Sequence, residues 1–206
     1  VATGKKIPTT FGKEDVIWQV PVLGEGNSSP IISGFNVYVT AAQFNSETKK
    51  GVRTLSAFSL HTGELVWKYE APFTTFKTNK RNGFASSTPC ADTQGVYVFW
   101  QSEEGSVLLA FDHDGKERWQ YEVGQFGAGT GAATSPIVHE GRVLLSHDNE
   151  KYESFLLAVS SESGTREWQT IRKTQRTGYA TPAVFQTAKG GTQIIFSHSY
   201  QGMVGV

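Results

Sequence analysis

Apolar and polar side chains alternate in short runs along almost the whole chain, and glycine-bearing turns separate the runs. Val37-Tyr38-Val39-Thr40-Ala41, Val96-Tyr97-Val98-Phe99-Trp100 and Thr192-Gln193-Ile194-Ile195-Phe196 have the length, β-branching and aromatic content of strands. The runs group into units. Residues 28–70 read as strand, turn, strand, polar loop (Gln43 to Val52), then a hairpin; residues 87–123 and 134–171 repeat that order, and residues 180–206 begin it again. Before the first unit, residues 1–15 are polar and turn-rich and read as an arm, and Val16-Ile17-Trp18-Gln19-Val20 reads as a single outer strand.

The hairpin is the most repetitive part. AFSLHTGELVW, from Ala57 to Trp67, returns as AFDHDGKERW from Ala110 to Trp119 and as AVSSESGTREW from Ala158 to Trp168. With Trp18, the tryptophans stand 49, 52 and 49 residues apart. A fixed period of this size indicates a repeat architecture in which each unit buries its apolar face only by stacking on a neighbour. Gly63, Gly115 and Gly164 fall where a tight turn asks for positive φ, and a tryptophan follows each by four residues. Trp18, Trp67, Trp119 and Trp168 are thus expected to dock against the next unit, each junction gaining at most about 5 kcal/mol for roughly 200 Å² of indole.

Alanine, glycine six residues on and tryptophan four beyond that resembles the tryptophan-docking motif of the pyrroloquinoline-quinone-type β-propeller repeats. Two copies have that spacing, and the second is shorter by one residue, because Gly115 comes five after Ala110. The resemblance covers nearly the whole chain. It implies an all-β fold, a β-propeller of four-stranded antiparallel blades, with three full blades and parts of two others here, and a parent ring of seven or eight. It further implies a bacterial periplasmic or extracellular setting.

Composition narrows the functions. Nineteen basic and nineteen acidic side chains balance, so no overall field recruits nucleic acid. The longest apolar runs have strand length, so no transmembrane segment is expected. The single cysteine, Cys90, cannot form an intrachain disulfide and reads as a small buried hydrophobe. The five histidines are scattered, without zinc-ligand spacing, and no metal site is expected. Repeated Ser/Thr-Pro pairs at Pro30, Pro89, Pro136 and Pro182 mark the starts of inner strands. Trp100 lies outside the period and reads as interblade or rim packing.

In the propeller topology, the connections between blades and between second and third strands share one face. That face carries Lys77, Lys80, Arg81, Arg172, Lys173 and Arg176 against Glu103, Glu104, Asp148 and Glu150. Loops on a rigid scaffold are where function collects. Arg81, Asn82, Asp148, Asn149 and Arg176 are the candidate ligand contacts, each close to a strand end. The glycine-rich run from Gly124 to Gly131 lacks a following helix and reads as a flexible loop rather than a phosphate cradle.

A quinoprotein dehydrogenase of the resembling family would need pyrroloquinoline quinone, calcium, a catalytic aspartate and in many members adjacent cysteines. The chain shows no adjacent cysteines and no catalytic constellation. The expected function is a non-catalytic scaffold binding a protein, peptide or glycan through the loop face, with no cofactor of its own. The alternative is a quinone-dependent dehydrogenase of alcohols or sugars whose site lies partly outside this chain.

Overall fold

The computed structural model describes residues 9–102 and 104–206, so most of the expected arm and Glu103 lie outside the described residues. A 3₁₀ turn at Lys13–Asp15 precedes fifteen strands. They form three four-stranded antiparallel sheets and a three-stranded one among the described residues. The first sheet holds β1 (Ile31–Ser33), β2 (Asn36–Asn45), β3 (Lys50–Ser59) and β4 (Leu65–Thr74). The second holds β5 (Cys90–Ala91), β6 (Val96–Ser102), β7 (Gly105–Phe111) and β8 (Glu117–Gly124). The third holds β9 (Ile137–His139), β10 (Arg142–His147), β11 (Ser154–Ser160) and β12 (Arg166–Arg172), and the fourth holds β13 (Ala183–Gln186), β14 (Thr192–His198) and β15 (Gly202–Gly205). Strands within each sheet follow chain order, as in propeller blades.

Alternation decides which neighbour each side chain meets. In β6, Val96, Val98 and Trp100 pack with Tyr38, Leu55 and Ala57 of the first sheet. Tyr97 and Phe99 point the other way and pack with Val143, Leu145 and Leu157 of the third. Both faces of the central strands are thereby covered, and every β6 residue is buried. The outer strand β8 alternates instead: Trp119, Tyr121 and Val123 join the next interface while Gln120 and Glu122 stay exposed. Trp100 belongs to the first interface, its ring 6.2 Å from Tyr69 and nearly parallel to it.

Each repeated hairpin contains a β-bulge after its alanine, at Ala57/Phe58, Ala110/Phe111 and Ala158/Val159. The bulge sets Trp67, Trp119 and Trp168 opposite Ala57, Ala110 and Ala158, where a methyl group leaves room for an indole. The short second copy keeps it: Gly115 N–H reaches back three residues to Asp112, whereas Gly63 and Gly164 reach back four, to Ser59 and Ser160.

At each junction the indole crosses to the next sheet. Trp18 Nε1 donates to Leu60 O at 2.9 Å, Trp67 to His113 O at 2.9 Å and Trp119 to Ser161 O at 3.1 Å. Their rings lie on the next hairpin's glycine. A Cβ on Gly63, Gly115 or Gly164 would stand 2.8, 2.6 or 2.7 Å from the ring of Trp18, Trp67 or Trp119. Turn geometry alone, with φ between +72° and +88°, is therefore only half the reason for glycine. Trp168 packs edge-on to Phe196 of β14, with centroids 6.4 Å apart.

Three expectations require correction. Val16 to Val20 form no strand, because no neighbouring backbone pairs with them among the described residues. Gln43 to Val52 is no loop: β2 and β3 pair continuously from Asn36↔Ser59 to Asn45↔Lys50, leaving a four-residue turn whose amides at Glu47 and Thr48 donate to Asn45 Oδ1. The glycine-rich run is pinned rather than loose, since Gly127 N–H donates to Asn149 Oδ1 at 2.9 Å and Gly129 N–H to Glu150 Oε2 at 3.0 Å.

The Ser/Thr-Pro pairs have a further use. Ser29 N–H donates to Thr88 Oγ1 at 2.9 Å, and Thr88 N–H donates to Ser135 Oγ at 3.0 Å. The hydroxyls before Pro89 and Pro136 thus each accept from the preceding blade, and proline fixes the chain where that bond forms. This links the innermost strands of adjacent sheets around the axis.

Candidate functional site

The residue three positions before each of the four prolines is Asn27, Ser86, Ala133 or Tyr179. All four line one cleft of about 380 Å³, with Arg81, Asn82 and Thr130 from the connecting loops. In a propeller the innermost strands face the axial channel, so the cleft where these four equivalent positions meet is here called the channel mouth. Farther along the same segments, Ser29, Thr88, Ser135 and Thr181 line the channel wall with Cys90, which is half-buried.

Thr130 and Tyr179 also border a second cleft of about 590 Å³, between the third and fourth sheets, lined by Glu150, Arg176, His198 and Tyr200. Tyr179 OH is hydrogen-bonded to Thr130 Oγ1, pairs with Thr177 Oγ1 at 2.9 Å and donates to Gly131 O at 3.3 Å. The Arg176 guanidinium lies 5.6 Å from the centre of the Tyr200 ring. The two clefts share Thr130 and Tyr179, and Tyr200, on the lining of the second, is 72% exposed.

The structure divides the five candidate contacts. Arg81 is exposed at the channel mouth, its carbonyl held by Asn27 Nδ2 at 3.1 Å. Arg176 borders the second cleft. Asn82 staples its loop: Oδ1 accepts from Gly83 N–H at 2.9 Å and Ser86 Oγ at 2.6 Å, while Nδ2 donates to Thr130 O at 3.1 Å. Asp148 and Asn149 are corrections, since both are buried and cannot meet a ligand from solvent. Asn149 Oδ1 is taken by Gly127, and Asp148 faces Arg172 Nη1 at 3.2 Å. They lie at the buried end of β10, where alternation alone does not reveal that loops cover both faces. Tyr179, Thr130 and Tyr200 escaped the sequence reading. For Tyr179 a signal existed in its register before Pro182.

The polar groups beneath this face are tuned by burial. Desolvation raises the Asp148 carboxyl above its ordinary range, against the lowering influence of Arg172 and then His198. Arg172 is itself buried, and its Nε and Nη2 have no partner among the described residues. Burial lowers the Arg53 guanidinium to about 10, where Nε donates to Phe84 O at 2.6 Å and Nη2 to Gln101 O at 2.7 Å.

His147 is buried, and desolvation lowers its pKa to about 4 despite its bond to Gln125. The neutral ring fits its neighbours: Nε2–H donates to Gln125 O at 3.0 Å while Nδ1 accepts from Gln101 Nε2 at 3.4 Å. A depressed histidine pKa means that the unfolded chain binds the extra proton, so stability is lost as pH falls. Between pH 6.5 and about 4 the loss from this ring is expected to approach about 3 kcal/mol. Urea unfolding across that interval should show the decline, and His147→Gln should flatten it.

A quinone-calcium cradle would need six to eight oxygen ligands around the ion. Among the described residues, no three acidic, histidine or cysteine side chains converge. Asp148 is spent on Arg172, and Glu150 on the Gly129 amide. Those two carboxylates are thus already engaged within the fold.

A sequence profile of the family described as outer membrane protein assembly factor BamB matches residues 12–185. No curated protein matches the chain. Among solved structures, quinohemoprotein alcohol dehydrogenase ADHIIG from Pseudomonas putida HK5 is similar at 18% identity and a TM-score of 0.50, over 75% of this chain and 22% of that one. Quinohemoprotein alcohol dehydrogenase from Comamonas testosteroni is similar at 19% identity and a TM-score of 0.51, over 72% of this chain and 21% of that one. The chain thus spans less than a quarter of the length of either. At such identity the likeness speaks to the fold alone.

Proposed function

The chain belongs to the family of outer membrane protein assembly factor BamB, and on that premise we propose that it is a non-catalytic propeller scaffold that binds a polypeptide through its loop face, in an extracytoplasmic setting. The observation that carries this reading is the convergence of Asn27, Ser86 and Tyr179 with Arg81 at the channel mouth. Amide, hydroxyl, phenol and guanidinium groups there sit on segments already tied together by interblade hydrogen bonds. With Asn27, Ser86 and Tyr179 held by bonds within the fold, such a surface offers the exposed Arg81 guanidinium to peptide carbonyls and a flat phenol ring to side chains, at little ordering cost. Asp148, a carboxylate beneath this face, is buried against the Arg172 guanidinium. No helix among the described residues is long and apolar enough to cross a membrane.

Replacing Tyr179 by a photo-crosslinking phenylalanine in producing cells should trap a polypeptide, and adding Arg81→Glu should abolish the adduct. Thermal stabilisation by pyrroloquinoline quinone with calcium, together with alcohol or sugar oxidation, would instead establish the dehydrogenase reading.

A further inference from the structure

The first sheet differs from the others where β2 and β3 run past the loop face. Each has ten residues, against seven and seven in β6 and β7 and six and seven in β10 and β11. The added length carries Phe44 at its tip, 42% exposed. The segment from Phe73 to Phe84 folds back against that tip. Phe44 and Phe76 each meet Phe84 edge-on, at centroid distances of 4.8 and 5.1 Å, and Phe73 meets it at 5.1 Å. The rings enclose an open groove of about 420 Å³ bordered by Phe44, Phe76, Phe84, Thr75 and two exposed lysines, Lys49 and Lys77.

This groove is built rather than incidental. Thr75 N–H donates to Lys49 O at 2.8 Å and ties the hairpin tip to the returning segment. Lys49 adopts φ +57°, a left-handed conformation that side chains other than glycine, asparagine and aspartate seldom take. From beneath, the buried Arg53 guanidinium lies 4.5 Å from the Phe73 centroid and 5.8 Å from that of Phe76, and it holds the Phe84 carbonyl. Phe73 rests on Gly51, where a Cβ would stand 2.5 Å from its ring. The rings are therefore fixed before any ligand arrives, which reduces the entropy lost on binding.

We propose that the groove is a second binding site, for an extended peptide segment that presents an aromatic side chain beside carboxylates. Exposed ring edges accept an aromatic face in the offset or edge-on geometry such pairs prefer. The rim chemistry selects the flanking charge: both ionisable side chains that border the groove are lysines, and Glu47 of the same turn does not line it. The site is separate from the channel mouth, whose lining is Asn27, Arg81, Ser86 and Tyr179.

The probe is a fluorescein-labelled Gly-Glu-Phe-Asp-Gly peptide, followed by anisotropy with the whole chain. Binding should weaken about tenfold on Phe44→Ala and severalfold on Lys49→Gln with Lys77→Gln, and should fall as salt rises. Replacing the probe's phenylalanine by alanine, or its acids by amides, should have matching effects. Tyr179→Ala, outside the segment that builds the groove, should leave probe binding unchanged, so failure here and failure at the channel mouth remain distinguishable. The lysine variants touch only exposed side chains and keep the test valid if Phe44→Ala unfolds the tip. No binding at the highest attainable protein concentration would overturn the proposal. So would equal binding by the lysine variants, or equal binding of the ring-less probe.

Discussion

Trp67→Ala should lower stability by about 3 kcal/mol, the lower part of the range for truncating a large aromatic residue, because the ring is half-buried rather than enclosed. The loss has two sources. The ring leaves the interface with Tyr38, Val96 and Phe111, and the His113 carbonyl, which accepts from Trp67 Nε1 at 2.9 Å, loses that donor. Gly115→Val should do similar damage from the other side, since its Cβ would press on the same indole at 2.6 Å and its φ of +88° disfavours a β-branched residue. The two changes share one contact, so the double variant should lose less than the sum of the singles. Urea denaturation of the three proteins would measure this. A loss below about 1 kcal/mol for Trp67→Ala would mean that the indole does not hold the two sheets together.

Asp148→Ala is expected to cost about 3–5 kcal/mol, because it strands a buried guanidinium whose only carboxylate partner among the described residues is removed. The Asp148 side chain is 0% exposed and that of Arg172 4%, so neither charge can turn to water in place. Asp148→Leu combined with Arg172→Met should recover most of the loss, since an apolar pair of similar bulk avoids desolvating two ions. The same site has a pH signature. Burial raises the Asp148 pKa, so the folded protein holds this proton more tightly than the unfolded chain. Its contribution to stability therefore declines as pH rises from the ordinary carboxylate value through the folded one, opposite in sign to that of His147. Asp148→Asn should remove that decline, while His147→Gln should remove the acid-side loss. If neither variant changes the pH profile, burial does not control these groups.

The candidate site was legible unevenly. Arg81 and Arg176 could be placed at openings because loops between blades must surface. Asp148 and Asn149 have the composition of a ligand site and the environment of a core, and only the closing of the loop at Gly127 over Asn149 shows which applies. The aromatic groove was hidden for a similar reason. Phe44 lies 40 residues from Phe84, and a segment that looked like a polar loop proved to be a continued hairpin.

By itself the sequence determined the repeat, the order of strands within each sheet, the turn glycines and the tryptophan spacing. All of these are local or periodic: alternation selects strands, positive φ selects glycine, and a constant interval selects identical units. Tertiary structure alone decided what each repeated residue touches. The indole meets the following hairpin's glycine, the hydroxyls before Pro89 and Pro136 accept from the preceding blade, and one register position from four units gathers at the channel mouth. Those contacts join residues about fifty positions apart, and their partners are fixed only when neighbouring sheets stack.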